Sequence, residues 1–273
     1  MKKICIYLNE YPDSIDVAKE LEDRFANVEI NTIFQSIHDQ PKTIDDVDFN
    51  IVIGGDGSFL KAVRLSNYSS APFIGINTGG LGFFQEVGID DIPNLVHHIK
   101  VGDYVTDPMR LLKCTAYKTD GSEHEFLCVN EALVKGLHSK VLHMDVMIGE
   151  NFLERFSGDG IIVSTSIGST AYNFSVGGAI VYPGLEIMQL SPLAPISSAS
   201  YRSLLNSVVM PGRLEVSMIP ETKYEKGILI VQDGTEHMIE NIDRVVTTMS
   251  DVFINRLHID DNGYWINLRD KFI

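Results

Sequence analysis

The sequence predicts an α/β N-terminal domain built on a parallel sheet, Rossmann-like in layout, followed by an all-β C-terminal domain of β-sandwich-like character. Three observations carry this. Up to about residue 100, apolar runs of strand length alternate with amphipathic helical patterns. Beyond Val101-Gly102-Asp103 the helical patterns stop, and short β-rich runs punctuated by turn residues take over. A chain of 273 residues that is 44% hydrophobic has material for one large domain or two modest ones with buried cores.

Each element has its own signal. Lys3–Leu8 reads as a buried strand. Ser14–Asn27 reads as a helix with Ile15, Ala18, Leu21 and Phe25 on one face and Asp13 or Ser14 as its cap. Val28–Phe34 is the next strand, and Phe49–Ile53 is an apolar run ending in Gly-Gly. Ser58–Ser66 is a short amphipathic helix carrying Phe59, Leu60 and Val63. Pro72–Ile76 is a strand that runs into a Gly-rich loop, and Asp90–Lys100 is a helix with Ile92, Leu95, Val96 and Ile99 inward. In the second domain, residues 101–251, Leu111–Lys118 and Glu125–Val134 flank Asp120-Gly121, a hairpin signal. Val141–Ile148 and Phe152–Phe156 flank Gly149-Glu150-Asn151, and Ile161–Thr165, Arg213–Ile219 and Gly227–Gln232 follow. Trp265 falls in a strand-like C-terminal run and reads as a packing residue.

Composition excludes several classes. The net charge of −15 repels phosphate backbones, which argues against nucleic acid and anionic membranes as partners. No run approaches the roughly 18 unbroken apolar residues of a membrane span. The N-terminal Ile4–Leu8 run is too short for a signal peptide and no small-residue cleavage site follows, so a cytoplasmic location is expected. Three widely spaced cysteines, Cys5, Cys114 and Cys128, suit small buried residues in a reducing compartment and form no zinc pattern. The negative charge also sets a condition: an anionic ligand has to be handled by backbone amides, a few cations or a metal.

Three segments carry candidate chemistry. In Ile51–Leu60 a strand runs into Gly54-Gly55-Asp56-Gly57 and then a helix. Glycines let backbone amides approach phosphate oxygens, and the helix start adds unpaired N–H groups. No Gly-Lys-Ser/Thr follows, and the Gly-x-Gly-x-x-Gly pattern fails at Leu60, so neither familiar phosphate fingerprint is present. Asp56 is unhelpful to a phosphate unless it accepts a proton or holds Mg²⁺. The alternative is an aspartate that stabilises its own turn, and Gly-Asp-Gly in isolation favours that reading. Asn77-Thr-Gly-Gly-Leu-Gly-Phe83 also follows a strand, which places Asn77, Gly79, Gly80, Leu81, Gly82 and Phe83 at the same carboxyl edge of the sheet as the first loop. The third segment runs from Gly158-Asp159-Gly160 through Gly168-Ser169-Thr170-Ala171-Tyr172 to Gly177-Gly178, a density of small polar residues that suits a polar ligand better than a core.

Gly54-Gly55-Asp56-Gly57, Asn77-x-Gly79-x-Leu81-Gly82-Phe83, Asn130-Glu131, Asp159-Gly160 and Gly168-Ser169-Thr170-Ala171-Tyr172, in that order and spacing, resemble the NAD kinase family, of the bacterial type that uses ATP or polyphosphate. The likeness covers nearly the whole chain. Gly-Gly-Asp-Gly alone is similar to an element of diacylglycerol and sphingosine kinases, whereas Gly-Ser-Thr-Ala-Tyr with Asn-Glu upstream is specific. The resemblance implies transfer of a γ-phosphoryl group to the 2′-hydroxyl of the adenosine ribose of NAD, giving NADP. It implies Asp56 as the proton acceptor and Gly57 and Lys61 along the nucleotide. Asn130 and Glu131 would hydrogen-bond the dinucleotide, Asp159 and Ala194 lie at the nicotinamide end, and Thr170, Ala171, Tyr172 and Ser175 line the adenosine end. Mg²⁺ or another divalent cation would accompany the donor, held by no dedicated protein ligands. The likeness also implies a homodimer or homotetramer in which Tyr182–Gln189 serves a neighbouring subunit's site, and a tail, residues 252–273, that returns to the first domain.

The chain departs from the pattern in places. Thr165-Ser166-Ile167-Gly168 stands where Thr-Pro-Thr-Gly is common, which removes a hydroxyl at Ile167, and Gly80 replaces a larger residue. Two rivals complete the reading. A lipid kinase of the Gly-Gly-Asp-Gly superfamily should show an apolar or basic membrane-facing stretch, which this chain lacks. A non-catalytic NAD-binding sensor would have no use for Asp56.

Overall fold

A computed structural model describes residues 2–79, 82–197, 202–221, 227–259 and 263–273. The chain divides into two compact units, Met1–Pro108 with Phe253–Ile273, and Met109–Val252.

The first unit contains β1 (Lys3–Leu8), α1 (Pro12–Ala26), β2 (Asn31–Ser36), β3 (Phe49–Ile53), α2 (Asp56–Leu65), β4 (Phe73–Asn77), β5 (Gln85–Gly88) and α3 (Ile92–Val101). All its strand pairs are parallel: β1 lies between β2 and β3, β4 beside β3, and β5 beside β4. The strand order therefore reverses beside β1, the place where open α/β sheets leave a crevice for ligands. β3 and β4 end level, since Ile53 pairs with Ile76 and the Gly54 N–H donates to the Ile76 carbonyl at 3.0 Å. Both Gly-rich loops thus leave the same sheet edge, as expected. The core is Ile4, Ile6, Leu21, Phe25, Ile51, Ile53, Ile74, Ile76, Leu95 and their neighbours.

Several boundaries differ from the sequence expectation, each for a local reason. α1 starts at Pro12, which tolerates a first-turn position because that N–H needs no partner; no Asp13 or Ser14 cap forms. Its inward stripe is Ser14, Val17, Ala18, Leu21 and Phe25, and Ile15 faces out on the row that holds Lys19 and Glu22. Val28 and Ile30 do not join β2; their N–H groups close the helix exit onto the Phe25 carbonyl. α2 starts at Asp56, two residues early, because extended Gly55 serves as its N-cap. That moves Asp56 from the loop to the first helical residue.

The second unit and the returning tail contain β6 (Val105–Lys118), β7 (Glu123–Cys128), β8 (Glu131–Gly136), β9 (Leu142–Ile148), β10 (Asn151–Gly158), β11 (Gly160–Thr165), α4 (Tyr172–Ser175), β12 (Ile187–Leu193), β13 (Val208–Pro211), β14 (Val216–Pro220), β15 (Gly227–Gln232), β16 (Thr235–Glu240), β17 (Ile242–His258) and α5 (Gly263–Phe272). One sheet runs β13-β12-β11-β8-β15-β16. In another, β10, β9, β14 and β17 pair antiparallel in that order. The Asp120-Gly121 hairpin joins β6 and β7, with Gly121 at φ 84°. Inward residues of these strands, among them Leu112, Val134, Phe156, Val163 and Met218, form this unit's own core.

The run Glu125–Val134 is not one strand: it breaks between Cys128 and Glu131. Trp265 lies in a helix rather than a strand and is 59% exposed. The helix follows from Tyr264 and Phe272, which both reach Phe83, with ring centroids at 6.3 and 5.7 Å. Eight residues span about 12 Å in a helix and about 26 Å in a strand, too far for one ring to touch both. No described helix is long and apolar enough to cross a membrane.

Phe59 of α2 is fully buried, stacked on Phe84 at 4.4 Å and tilted against Phe73 at 5.8 Å. Phe59→Ala should cost about 3–5 kcal/mol in urea unfolding, and Phe59→Leu clearly less.

Candidate active site

Asp56 is the centre of the first unit's loops. The N–H of Phe83 donates to Oδ1 at 2.9 Å and to Oδ2 at 3.2 Å, and the N–H of Phe84 donates to Oδ1 at 3.1 Å. A carboxylate at a helix start also meets the positive end of the helix dipole. Two loops that leave neighbouring strands are therefore tied together through one side chain. Gly82 has to be glycine for this. A Cβ there would lie 2.5 Å from Asp56 Oδ1 and would run into the Gln85 carboxamide. Gln85 is 5% exposed, and neither of its carboxamide atoms has a hydrogen-bond partner.

The far side of the clamp is held by the tail. Arg256 of β17, paired with Phe73, donates to the Phe83 carbonyl at 2.6 Å and forms a buried ion pair with Glu86 at 2.6 Å. His258 contacts the same Glu86 carboxylate. Lys271 of α5 places its ammonium 3.3 Å from Asp56 Oδ2 and 4.6 Å from the centroid of Phe83. None of Gln85, Arg256 and Lys271 was legible from sequence: Lys271 is 215 positions from its partner, and no local pattern marks it.

The other loop positions fall as follows. Gly54 is buried, while Gly55 and Gly57 are exposed beside Asp56. Asn77 Oδ1 accepts the Gly79 N–H at 2.9 Å, so Asn77 shapes its own turn. Gly80 and Leu81 lie outside the described residues. Lys61 is exposed on α2. Five residues along a helix put it about 140° round the axis from Asp56, so the two do not converge.

A second cluster sits in the second unit. Asp233, in the two-residue turn between β15 and β16, has φ 43° and is followed by Gly234 at 82°, the left-handed pair that tight hairpins require. Its carboxylate accepts the N–H groups of Val129 at 2.7 Å, Asn130 at 2.8 Å and Glu131 at 3.1 Å. This is why the strand breaks there. On the other side, the Thr165 hydroxyl donates to the Val129 carbonyl at 2.8 Å and accepts the Gly168 N–H at 3.1 Å. The Asn130 backbone occupies the space a side chain on residue 168 would need, so Gly168 is glycine by close approach.

The result is a buried polar cluster. Asn130 and Glu131 are both buried, and Asn130 Oδ1 and Glu131 Oε2 have no hydrogen-bond partner among the described residues. Such atoms suit the hydroxyls of a polar ligand. Burial, then the neighbouring Asp233 charge, push the Glu131 carboxyl up from 4.5 to about 8, against the opposing Tyr172 backbone hydrogen bond. Thr170 is buried with its hydroxyl 3.4 Å from the Ile167 carbonyl, Ala171 is half-buried, and Tyr172 and Ser175 are exposed on α4. Asp159 and Ala194 are exposed neighbours at the other end of β11, about 20 Å from Thr165 by strand rise. They do not join the Glu131 cluster.

Among the described residues no group of three or more His, Cys, Asp or Glu side chains gathers to hold a metal ion.

Two family profiles match the chain, the ATP-NAD kinase N-terminal domain over residues 9–104 and the ATP-NAD kinase C-terminal domain over residues 129–252. The chain is 40% identical to an NAD kinase of Finegoldia magna, covering 100% of this chain and 98% of the relative. It is 32% identical to an NAD kinase of Pediococcus pentosaceus, covering 99% and 97%. Its fold matches an NAD kinase from Archaeoglobus fulgidus in complex with ATP (TM-score 0.78, 22% identity, 98% of each chain). It also matches yeast NADH kinase complexed with NADH (TM-score 0.85, 18% identity, 99% of this chain and 87% of that one).

The raised Glu131 carboxyl has a consequence for stability. The folded state holds that proton more tightly than the unfolded chain, so the contribution is complete below about 4.5 and is lost as pH rises toward about 8. Glu131→Gln should therefore melt higher than the parent at pH 8 and lose that advantage at pH 5, read by thermal unfolding across the range.

Proposed function

The chain belongs to the NAD kinase family, and from that premise we propose that it transfers the γ-phosphoryl group of ATP, or of another phosphoryl donor, to the 2′-hydroxyl of the adenosine ribose of NAD, yielding NADP. The observation that carries the mechanism is the Asp56 carboxylate, fixed by the Phe83 and Phe84 amides where two Gly-rich loops meet at the sheet edge.

The ribose hydroxyl oxygen attacks the γ-phosphorus, forming the new O–P bond. The bond from that phosphorus to the bridging oxygen breaks, and its electron pair leaves with the nucleoside diphosphate. The hydroxyl proton passes to Asp56. Phosphoryl transfer asks a protein mainly for alignment and charge compensation. A carboxylate whose position is set by backbone amides supplies the alignment. Its clamp also keeps it on the edge where the amides of Gly55 and Gly57 at the start of α2 can meet phosphate oxygens.

Asn130 and Glu131 bind the dinucleotide in this reading, with their unpaired oxygens taking the hydroxyls of a ribose diol. A protonated Glu131 can donate one hydrogen bond and accept another there. Thr170, Ala171, Tyr172 and Ser175 line the adenosine end, Asp159 and Ala194 the nicotinamide end, and Lys61 lies along the nucleotide. A divalent cation enters on the donor's phosphates as part of the substrate. The protein acts in the cytoplasm as a homodimer or homotetramer. The exposed Tyr182 and Leu185 support a neighbouring subunit on Tyr182–Gln189.

Incubation with ATP, Mg²⁺ and NAD should produce NADP, and absence of product where NAD binds would sink the reading. Asp56→Asn should keep NAD binding within a few-fold and lower turnover by about 10² to 10⁴. Full turnover in that variant would remove the base role.

A further inference from the structure

We propose that Lys271 is a catalytic residue of this enzyme: its ammonium rests on the Asp56 carboxylate in the nucleotide-free chain and moves to the transferred phosphoryl group during the reaction. The proposal rests on the phosphoryl-transfer reading above and adds a protein cation at the Asp56 carboxylate.

The need is electrostatic. The chain carries a net charge of −15, and its substrates are anions. Lys61 points away from Asp56. Arg256 lies close but is committed, its guanidinium shared between the Phe83 carbonyl and the buried Glu86. Among the described residues, Lys271 brings a charge to the carboxylate, 3.3 Å from Oδ2. A hydroxyl positioned for proton transfer has its oxygen within about 3 Å of the same carboxylate. The reacting phosphorus then approaches within reach of a four-carbon stem that can swing.

The way Lys271 is held suits a change of partner. Both side chains of the pair are about 30% exposed, at 30% and 29%. Ion pairs that solvent reaches contribute little, so exchanging this one for another partner is cheap. What docks α5 is aromatic: Tyr264 and Phe272 lie against Phe83, and the Lys271 ammonium lies over the same ring. The helix therefore stays in place while its charged tip exchanges the carboxylate for a phosphoryl oxygen. The ammonium forms no covalent bond; it offsets charge on the equatorial oxygens, and Asp56, relieved of it, takes the hydroxyl proton.

The test uses the full chain with ATP, Mg²⁺ and NAD. Lys271→Met should lower kcat by roughly 10- to 10³-fold, the scale of losing one transition-state donor, while KM for NAD changes less than about threefold. Lys271→Arg should recover part of the loss. Lys271→Cys, purified folded and then alkylated with 2-bromoethylamine, regains an ammonium at nearly the native reach. Cys5, Cys114 and Cys128 are buried, which directs the reagent to position 271. Turnover restored by alkylation supports the proposal even if Lys271→Met lowers the melting temperature, because a purely structural lysine would not return kcat in a protein already folded. Unchanged or faster turnover in Lys271→Met overturns it, the faster case marking an inhibitory contact. So does an alkylated Lys271→Cys protein no more active than the untreated one. If Lys271→Met is fully active while Asp56→Asn is dead, only the lysine assignment falls. A parent chain that makes no NADP removes both.

Discussion

A carboxylate that accepts backbone hydrogen bonds from a distant loop is the constraint on which the first unit's loops depend. Asp56 takes the amides of Phe83 and Phe84, and those amides have no strand partner of their own at that point. Satisfying them fixes where the Asn77–Phe84 loop returns. The return fixes Phe84 against Phe59, and hence the register of α2 on the sheet. Gly82 follows, since only a residue without a side chain leaves room for the carboxylate and the Gln85 carboxamide together. Arg256 and Glu86 then secure the carbonyl side of the same peptide. A single side chain therefore serves packing and backbone accounting at once.

The second unit solves a related problem the same way. Asp233 takes three consecutive amides, those of Val129, Asn130 and Glu131, and so ends one strand and starts the next without leaving buried donors unpaired. The arrangement places two carboxyl groups close together, and burial, with the Asp233 charge beside it, pushes the Glu131 carboxyl up to about 8 despite the one backbone hydrogen bond it takes from Tyr172. In both units an aspartate beside a glycine organises a segment far away in sequence, and in both the organised segment presents polar groups that its own backbone does not use.

Much of this was legible in the sequence. Strand and helix alternation gave the parallel sheet, because apolar periodicity is a local property. The common edge of the two Gly-rich loops followed from their each leaving a strand of that sheet. Gly54–Gly57 and Gly168–Tyr172 are marked by composition and spacing, whereas Asn130-Glu131 is marked by the family resemblance alone. The boundaries were less legible. Ile15 falls outside the inward stripe because Ile15, Val17, Ala18, Leu21 and Phe25 fit two overlapping stripes, and only packing chooses between them. The break between Cys128 and Glu131 was hidden because its cause, Asp233, is over a hundred residues away. Lys271 and Arg256 are invisible for the same reason: their roles come from where the tail docks, and the run around Trp265 looks like a strand because short apolar runs do not distinguish the two states.

The return of the tail gives the first unit a discontinuous make-up, with residues 1–108 and 253–273 separated by the whole second unit. That order matters during synthesis. At translation speeds of about 5–20 residues per second, Arg256 and Lys271 reach the first unit on the order of ten seconds after its sheet has emerged. In that interval the Phe83 carbonyl has no guanidinium and Asp56 has no ammonium, so the loops lack the contacts that hold their far side. The second unit is thus made before the Arg256–Phe83 and Lys271–Asp56 contacts can form.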